Sequence, residues 1–138
     1  MDPMESINCT LLIDDDEVSN YLSKNLLSKF IITNGIKTFS SGMEALQFIV
    51  NYDPDLNSCP ELIFLDIKMP IMDGFEFMDS FRQLTFLNKE KVKVVMLTNS
   101  YNEDDMNRCK DYGVLDYINK PLTEEKIKTL IEKITAHA

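Results

Sequence analysis

Strand-like and helix-like segments alternate along the whole of this 138-residue chain, with short connections between them. Each of five short apolar or β-branched stretches is followed by a segment that is typical of a helix. This alternation predicts parallel strands joined by helices, because right-handed crossovers place helices on both faces of a parallel sheet. The predicted strands are residues 9–13, 36–39, 62–66, 91–98 and 114–119, and the predicted helices are residues 17–30, 41–52, 74–84, 103–112 and 123–134.

The fold class predicted by this pattern is α/β, with five helices around a doubly wound five-stranded parallel sheet. The sequence shows no internal repeat, low-complexity tract or linker to a second unit. We therefore expect one domain over residues 1–138, with a core over about residues 9–134 and no output domain.

Apolar spacing predicts which face of each helix meets the sheet. In the first helix, Val18, Leu22 and Leu26 share one face, which Tyr21 and Leu27 widen, so we expect this face to be buried. The last helix has the clearest pattern, with a threonine at its start. Its expected apolar stripe consists of Ile127, Leu130, Ile131 and Ile134.

Composition and charge exclude several function classes. The net charge of -9 argues against a broad surface for nucleic acid or for anionic membranes, since such surfaces need concentrated basic residues. Cys9, Cys59 and Cys109 lack the CxxC spacing of a metal site, and their odd number does not suggest a disulfide framework. No apolar run is long enough to span a bilayer, and the N-terminus lacks signal-peptide features. We therefore expect a cytoplasmic protein that contacts neither nucleic acid nor the membrane interior.

Charged and hydroxyl side chains stand at the carboxyl ends of the predicted strands. Asp14 and Asp15 follow the first strand, Asp66 ends the third, Thr98 ends the fourth and Lys120 follows the fifth. A parallel sheet brings these ends to one edge, where α/β folds bind ligands. Three carboxylates meeting there would repel one another unless a cation such as Mg²⁺ neutralised them. An aspartate in such a site can act as a nucleophile toward phosphorus.

Each of these residues also has a structural explanation. Asp14 and Asp15 could begin the first helix, where acidic side chains favour the helix dipole, and we assign that role to Asp16. Asp66 alone could start a turn, and Asp73 before a glycine is typical of a turn or helix start. Thr98 could simply close a strand, Lys120 could belong to a turn before proline, and Tyr117 could be surface cover. His137 has no evident ligand partner in the sequence.

Four segments together resemble the receiver domain of two-component response regulators. They are LLIDDDE (11–17), LIFLDIKMPIMDG (62–74), VVMLTNS (94–100) and DYINKPLT (116–123), in the order and spacing of that family. The resemblance covers nearly the whole chain, from about residue 9 to about residue 134. It implies a CheY-like, flavodoxin-like strand order of 2-1-3-4-5 and a cis peptide bond between Lys120 and Pro121.

The resemblance also implies a role for individual residues, of which Asp66 is the phosphoacceptor. Mg²⁺, with Mn²⁺ as an alternative, would be held by Asp14, Asp15, Asp66 and the main-chain carbonyl of Lys68. Lys120 and Thr98 would stabilise the phosphoryl group, and Thr98 and Tyr117 would form the switch. Lys68 and Ser100 occupy positions that would tune the lifetime of the phosphoryl group.

The function implied is that of a stand-alone response regulator in a phosphorelay. It would accept phosphate from a phosphohistidine on a sensor histidine kinase or a histidine phosphotransfer protein, and would then bind an unknown downstream protein. It would be no enzyme beyond its own phosphorylation and dephosphorylation. Three alternatives remain open at this stage: a hydrolase of the haloacid-dehalogenase type, a constitutive protein-binding module and a flavodoxin-like electron carrier.

Overall fold

Five parallel strands form a single sheet in the computed structural model, which describes residues 9–31, 35–51, 60–85 and 89–136. The strands are β1 (Thr10–Ile13), β2 (Ile36–Phe39), β3 (Leu62–Leu65), β4 (Lys93–Thr98) and β5 (Asp116–Asn119). The helices are α1 (Glu17–Leu27), α2 (Gly42–Val50), α3 (Gly74–Gln83), α4 (Glu103–Asp111) and α5 (Glu124–Ala136), with a 3₁₀ turn at Lys89–Lys91.

The strand order is β2-β1-β3-β4-β5, and all neighbouring strands run parallel. The predicted fold class and strand order are therefore confirmed. Thr10 of β1 aligns with Ile36 of β2 on one side and with Leu62 of β3 on the other. The order reverses at β1, so the crevice at the carboxyl ends of β1 and β3 is where a ligand is expected in such a sheet.

Apolar side chains from the central strands fill both faces of the sheet. Leu11 and Ile13 pack into one cluster with α2 and α3, while Leu12 and Phe64 pack into a second cluster with α1 and α5. Every residue of β1 and β3 is buried, as expected for central strands covered on both faces. The stripe of α5 is confirmed, with Ile127, Leu130 and Ile134 buried and Ile131 partly buried. The rigid core thus fixes the strand ends on which the candidate site is built.

Side-chain caps define the starts of the helices. Asp16 accepts hydrogen bonds from the main-chain N–H groups of Val18 and Ser19, so its predicted role at the start of α1 is confirmed. Asp73 and Glu76 form a reciprocal capping box at the start of α3. Gly113, predicted to stop α4, has a φ of 73°, the left-handed conformation that favours glycine after a helix.

The face predicted to be buried on α1 is buried only in part, at Leu27 and partly at Leu26. Val18, Tyr21 and Leu22 are 66%, 65% and 60% exposed, whereas the helix buries Asn20, Ser23 and Leu27. Asn20 turns toward the sheet because its side-chain amide donates to the main-chain carbonyls of Asp14 and Phe39, at 3.0 and 3.1 Å. Two polar side chains therefore face inward, and an apolar surface faces solvent.

Several predicted boundaries also differ from the structure. The first helix ends at Leu27 instead of residue 30, because the N–H groups of Phe30 and Ile31 both turn back to the Leu27 carbonyl. The fourth strand begins at Lys93 instead of residue 91, after the 3₁₀ turn. Tyr52, Cys59 and His137 lie outside the described residues, and Cys9 and Cys109 are buried cysteines. Within the described ranges, no helix has the length and apolar character needed to cross a membrane.

Candidate functional site

The carboxyl ends of the strands bring together the residues that the sequence singled out. Asp14 follows β1 directly, Asp66 follows β3, Thr98 ends β4 and Lys120 follows β5. Asp66 is held by its main-chain N–H, which donates to the Ile13 carbonyl at 3.0 Å. The sheet thus places four polar side chains from distant segments at one edge.

Asp14, Asp15 and Asp66 form an acidic cluster whose carboxylate oxygens lie within 4.8 Å of one another. Asp14 and Asp66 are 5% and 7% exposed, whereas Asp15 is open to solvent. Hard oxygen ligands with one side open to water suit Mg²⁺, which keeps several of its own waters. The cluster can therefore bind a divalent metal ion.

Lys120 bridges the two buried carboxylates. Its ammonium donates to Asp14 in a short contact and to Asp66 at 3.1 Å. The Lys120 side chain is 11% exposed, so the ion pairs lie largely away from water. The peptide bond between Lys120 and Pro121 is cis, as the resemblance implied. This lysine places one positive charge where two negative charges meet.

The electrostatics show that one bridging lysine does not fully balance the carboxylates. Burial and the nearby Asp14 charge raise the pKa of Asp66, while Lys120 and the Thr98 hydroxyl act in the opposite direction. Burial lowers the pKa of Lys120, but the hydrogen bond to Asp14 and the charges of both carboxylates outweigh it and raise the pKa. A bound cation would relieve the remaining repulsion, so the residues present fit a divalent metal ion.

The loop between Asp66 and α3 returns closely to the main chain of Asp66. The N–H of Gly74 donates to the Ile67 carbonyl at 2.7 Å, and a Cβ at Gly74 would lie 2.5 Å from the Asp66 carbonyl oxygen. Only glycine fits this approach of backbone to backbone. At the outer side of the loop, Lys68 is exposed, and Ile71 is 97% exposed with a φ of 70°. A β-branched residue is strained in that conformation.

Ser100 connects the end of β4 to α4 and to β5. Its N–H donates to the Thr98 hydroxyl at 3.2 Å, and its own hydroxyl donates to Asp105 of α4 at 2.8 Å. The Ser100 carbonyl accepts from the Tyr117 hydroxyl at 2.5 Å and from the Asn119 side-chain amide at 3.0 Å. Tyr117 is thus linked through Ser100 to the segment that carries Thr98.

Three residues near the site were missed by the sequence reasoning. Asn20 orients the carbonyl of Asp14, Asn119 binds the Ser100 carbonyl, and Lys126 of α5 binds two carbonyls beside Lys120. Asn20 could have been found from the sequence. It lies on the same helical face as Ser23 and Leu27, and the apolar spacing of the helix did not require that face to be exposed. Lys126 could also have been found from the sequence, because it is a positively charged residue in the first turn of a helix, where the helix dipole disfavours positive charge.

An apolar groove runs beside the site along α1. Its apolar lining is formed by Val18, Leu22, Leu26 and Leu122, and Lys120 also lines it. A continuous patch of exposed apolar side chains often marks an interaction surface, whereas a single exposed apolar side chain does not. The groove therefore offers a contact surface next to the acidic cluster.

A family model described as the response regulator receiver domain matches residues 10–132. The chain is 33% identical over 135 residues to the hybrid signal transduction histidine kinase L of Dictyostelium discoideum, covering 96% of this chain and 8% of that protein. It is 30% identical over 130 residues to sporulation initiation phosphotransferase F of Bacillus subtilis, covering 92% of this chain and 94% of that protein. The match thus extends over nearly the whole chain in both comparisons.

Solved structures show the same architecture. The Mn²⁺-bound form of response regulator Rcp1 aligns with a TM-score of 0.70 at 26% identity, covering 94% of this chain and 92% of that one. The five-stranded parallel sheet of this chain and the family model that matches residues 10–132 are consistent with this likeness. The chain belongs to the response regulator receiver domain family of two-component signalling systems.

Proposed function

We propose that Asp66 accepts a phosphoryl group from a phosphohistidine donor and that the chain works as a response regulator in a phosphorelay. The observation that carries this proposal is the position of Asp66, a largely buried carboxylate beside Asp14, Asp15 and Lys120 at the carboxyl end of β3. Membership of the receiver family and the similarity to a sporulation phosphotransferase support it.

The transfer uses the carboxylate of Asp66 as the nucleophile. A bond from an Asp66 oxygen to phosphorus forms while the bond from phosphorus to the donor imidazole nitrogen breaks, and the electron pair of that bond leaves on the imidazole. The ammonium of Lys120, now 3.1 Å from Asp66, offsets charge on the phosphoryl oxygens. The Thr98 hydroxyl at the end of β4 supplies a further donor.

Asp14, Asp15, Asp66 and the main-chain carbonyl of Lys68 would hold the divalent cation in this proposal. Mg²⁺, or Mn²⁺ as in the Rcp1 neighbour, would neutralise negative charge and orient the phosphoryl oxygens when bound. The exposed side chain of Asp15 leaves room for water in the coordination shell.

Phosphorylation would then act on the network around Ser100. Movement of Thr98 toward the phosphoryl oxygens would pull on the Ser100 N–H, since the two are joined at 3.2 Å. Tyr117 and Asp105 both bind Ser100, so the position of the tyrosine and of α4 would change with it. The surface around α4 and β5 would in this way report the state of Asp66 to a downstream protein.

We further propose that the donor protein docks along the groove of α1. The exposed apolar side chains of Val18 and Leu22 lie beside Lys120, so a partner seated there would bring its phosphohistidine to Asp66. A sensor histidine kinase or a histidine phosphotransfer protein fits this description, because receiver domains interact with such proteins.

Incubation with Mg²⁺ and acetyl phosphate tests the phosphoacceptor. We expect the intact mass of the wild-type protein to increase by one phosphate, and Asp66→Asn protein to gain none, because an amide cannot replace the nucleophilic carboxylate. Asp73→Asn is the matched control, since Asp73 is a half-buried aspartate whose side chain caps α3 by accepting from the N–H of Glu76 at 2.8 Å. An adduct that persists in Asp66→Asn protein would refute the proposal, and steady hydrolysis of small phosphoesters would favour a hydrolase.

Lys68 and Ser100 are proposed to tune the phosphoryl lifetime. Lys68 is exposed two residues after Asp66, so its long side chain can obstruct the path of a hydrolytic water. Ser100 is buried and engaged with Asp105, so its influence would pass through the position of the β4–α4 segment. We expect Lys68→Ala to shorten the lifetime roughly threefold, within the range that positioning effects allow. Equal rates of dephosphorylation in variant and wild type, followed by loss of the mass adduct, would contradict this expectation.

A further inference from the structure

Lys126 of α5 binds the main chain on both sides of Lys120. Its ammonium donates to the carbonyl of Asn119 at 2.6 Å and to the carbonyl of Pro121 at 2.9 Å. Its own N–H donates to the Thr123 hydroxyl at 3.2 Å, which fixes Lys126 in the first turn of the helix. One side chain thus ties the start of α5 to the segment that carries Lys120.

The placement of this cation runs against the helix dipole. Positive side chains are favoured in the last turn of a helix and disfavoured in the first, where the N–H groups concentrate positive charge. The first turn of α5 otherwise follows the rule, with Glu124 and Glu125. Two carbonyl acceptors offset the unfavourable position of Lys126, because a charged donor forms stronger hydrogen bonds than a neutral one.

Lys120 has a main-chain anchor on its other side as well. Its N–H donates to the Thr98 carbonyl at 2.9 Å, so the backbone of Lys120 is held between β4 and the ammonium of Lys126. The side chain of Lys120 reaches from this backbone to Asp14 and Asp66. A shift of the backbone would therefore move the ammonium away from the carboxylates.

We propose that Lys126 is a positioning residue that sets the location of the Lys120 ammonium at Asp66. Lys126 acts through the carbonyls of Asn119 and Pro121 and touches neither the phosphoryl group nor the carboxylates. Its consequence for phosphoryl transfer rests on the function proposed above. A misplacement of a charged group by a fraction of its hydrogen-bond length can slow a reaction severely, since catalysis depends on preset geometry.

The test compares three variants of the full chain. Lys126→Met removes both hydrogen bonds, Lys126→Arg keeps donors that can reach two carbonyls, and Lys128→Met removes a charge from an exposed position of the same helix. Among the described residues, the Lys128 side chain has no hydrogen-bond or ion-pair partner, which makes Lys128 the matched control. Two readouts are needed: the rate of phosphorylation by acetyl phosphate with saturating Mg²⁺, and the NMR signal of the Lys120 side-chain ammonium in metal-free protein.

We expect Lys126→Met to slow phosphorylation about tenfold and to shift the Lys120 signal, with Lys126→Arg restoring both and Lys128→Met changing neither. The remaining NMR signals report whether each variant is folded. A Lys126→Met protein with an unchanged Lys120 signal overturns the inference, and so does equal slowing by Lys126→Met and Lys128→Met, which would indicate a general charge effect. If the wild-type protein gains no phosphate, the proposed function fails, while the Lys120 signal still decides whether Lys126 positions that residue.

Discussion

Lys120→Met is expected to lower the free energy of unfolding of the metal-free protein by about 3 kcal/mol, because it leaves two buried carboxylates without their shared cation. Asp14 and Asp66 are 5% and 7% exposed, so water cannot take over the role of the ammonium. The variant should also be phosphorylated roughly 10²-fold more slowly, since a positioned charge next to the reacting oxygens is lost.

Urea denaturation with and without Mg²⁺ checks this expectation. The deficit of Lys120→Met should shrink when Mg²⁺ is added, because a cation in the acidic cluster replaces the missing charge. Lys29→Met is the control, since Lys29 pairs with Glu124 at 3.2 Å with side chains 61% and 50% exposed. Such an exposed pair contributes about 1 kcal/mol at most. Equal losses in the two variants would show that Lys120 does not neutralise a buried cluster.

The pH dependence of stability gives a second readout for the same variant. The pKa of Asp66 is raised in the folded protein, so the fold binds this proton more tightly than the unfolded chain does. The contribution of Asp66 to stability is present at pH values below 3.8, the ordinary pKa of the group. This contribution is lost as the pH rises through the higher pKa that Asp66 has in the folded protein. Lys120 lowers the pKa of Asp66, so the Lys120→Met substitution should raise this pKa further. The pH range over which stability is lost should therefore extend to higher pH in the variant.

Gly74→Ala is expected to destabilise the protein by about 3 kcal/mol and to abolish most phosphorylation. The added methyl group would lie 2.5 Å from the Asp66 carbonyl oxygen and 2.9 Å from the Ile67 Cα. Both are main-chain atoms at the end of a central strand, so neither can move without displacing Asp66. The free energy of unfolding and the rate of adduct formation should therefore fall together.

Gly42→Ala provides a close control for this substitution. Gly42 also begins a helix, but its added methyl group would meet the flexible side chain of Met72, with the sulfur at 3.0 Å. The side chain can move, and alanine favours the helix, so we expect a change of less than about 1 kcal/mol. A Gly74→Ala protein as stable and as readily phosphorylated as Gly42→Ala protein would contradict the close approach at Asp66.

The positions at the strand ends could be predicted because they depend on local pattern and on one topological rule. An apolar run followed by a carboxylate defines the end of β3, and parallel strands deliver their ends to one edge. Asp14, Asp66, Thr98 and Lys120 therefore lie together as expected. The family resemblance contributed the strand order and the cis bond before Pro121, and both are present in the structure.

Features that depend on long-range hydrogen bonds could not be predicted from spacing. Val18, Tyr21 and Leu22 of α1 face solvent, whereas Asn20 faces the sheet, because the Asn20 amide has acceptors directly after β1 and at the end of β2 that only the folded sheet brings into reach. The hydrogen bonds of Tyr117 to Ser100 and of Lys126 to Asn119 likewise end on main-chain carbonyls, and a sequence does not show where carbonyls point. Periodicity reports burial of apolar groups and carries no information about such polar partners.

Chemical mapping of the phosphorylated residue tests the central claim most directly. Protein treated with Mg²⁺ and acetyl phosphate is trapped with borohydride, which reduces an aspartyl phosphate, and the modified residue is then located by peptide mass spectrometry. The arrangement of the acidic cluster, with Lys120 bound at Asp66 on the end of β3, predicts modification of Asp66 and of no other aspartate. Modification of Asp14 or Asp15, or complete absence of a reduced residue, would contradict it.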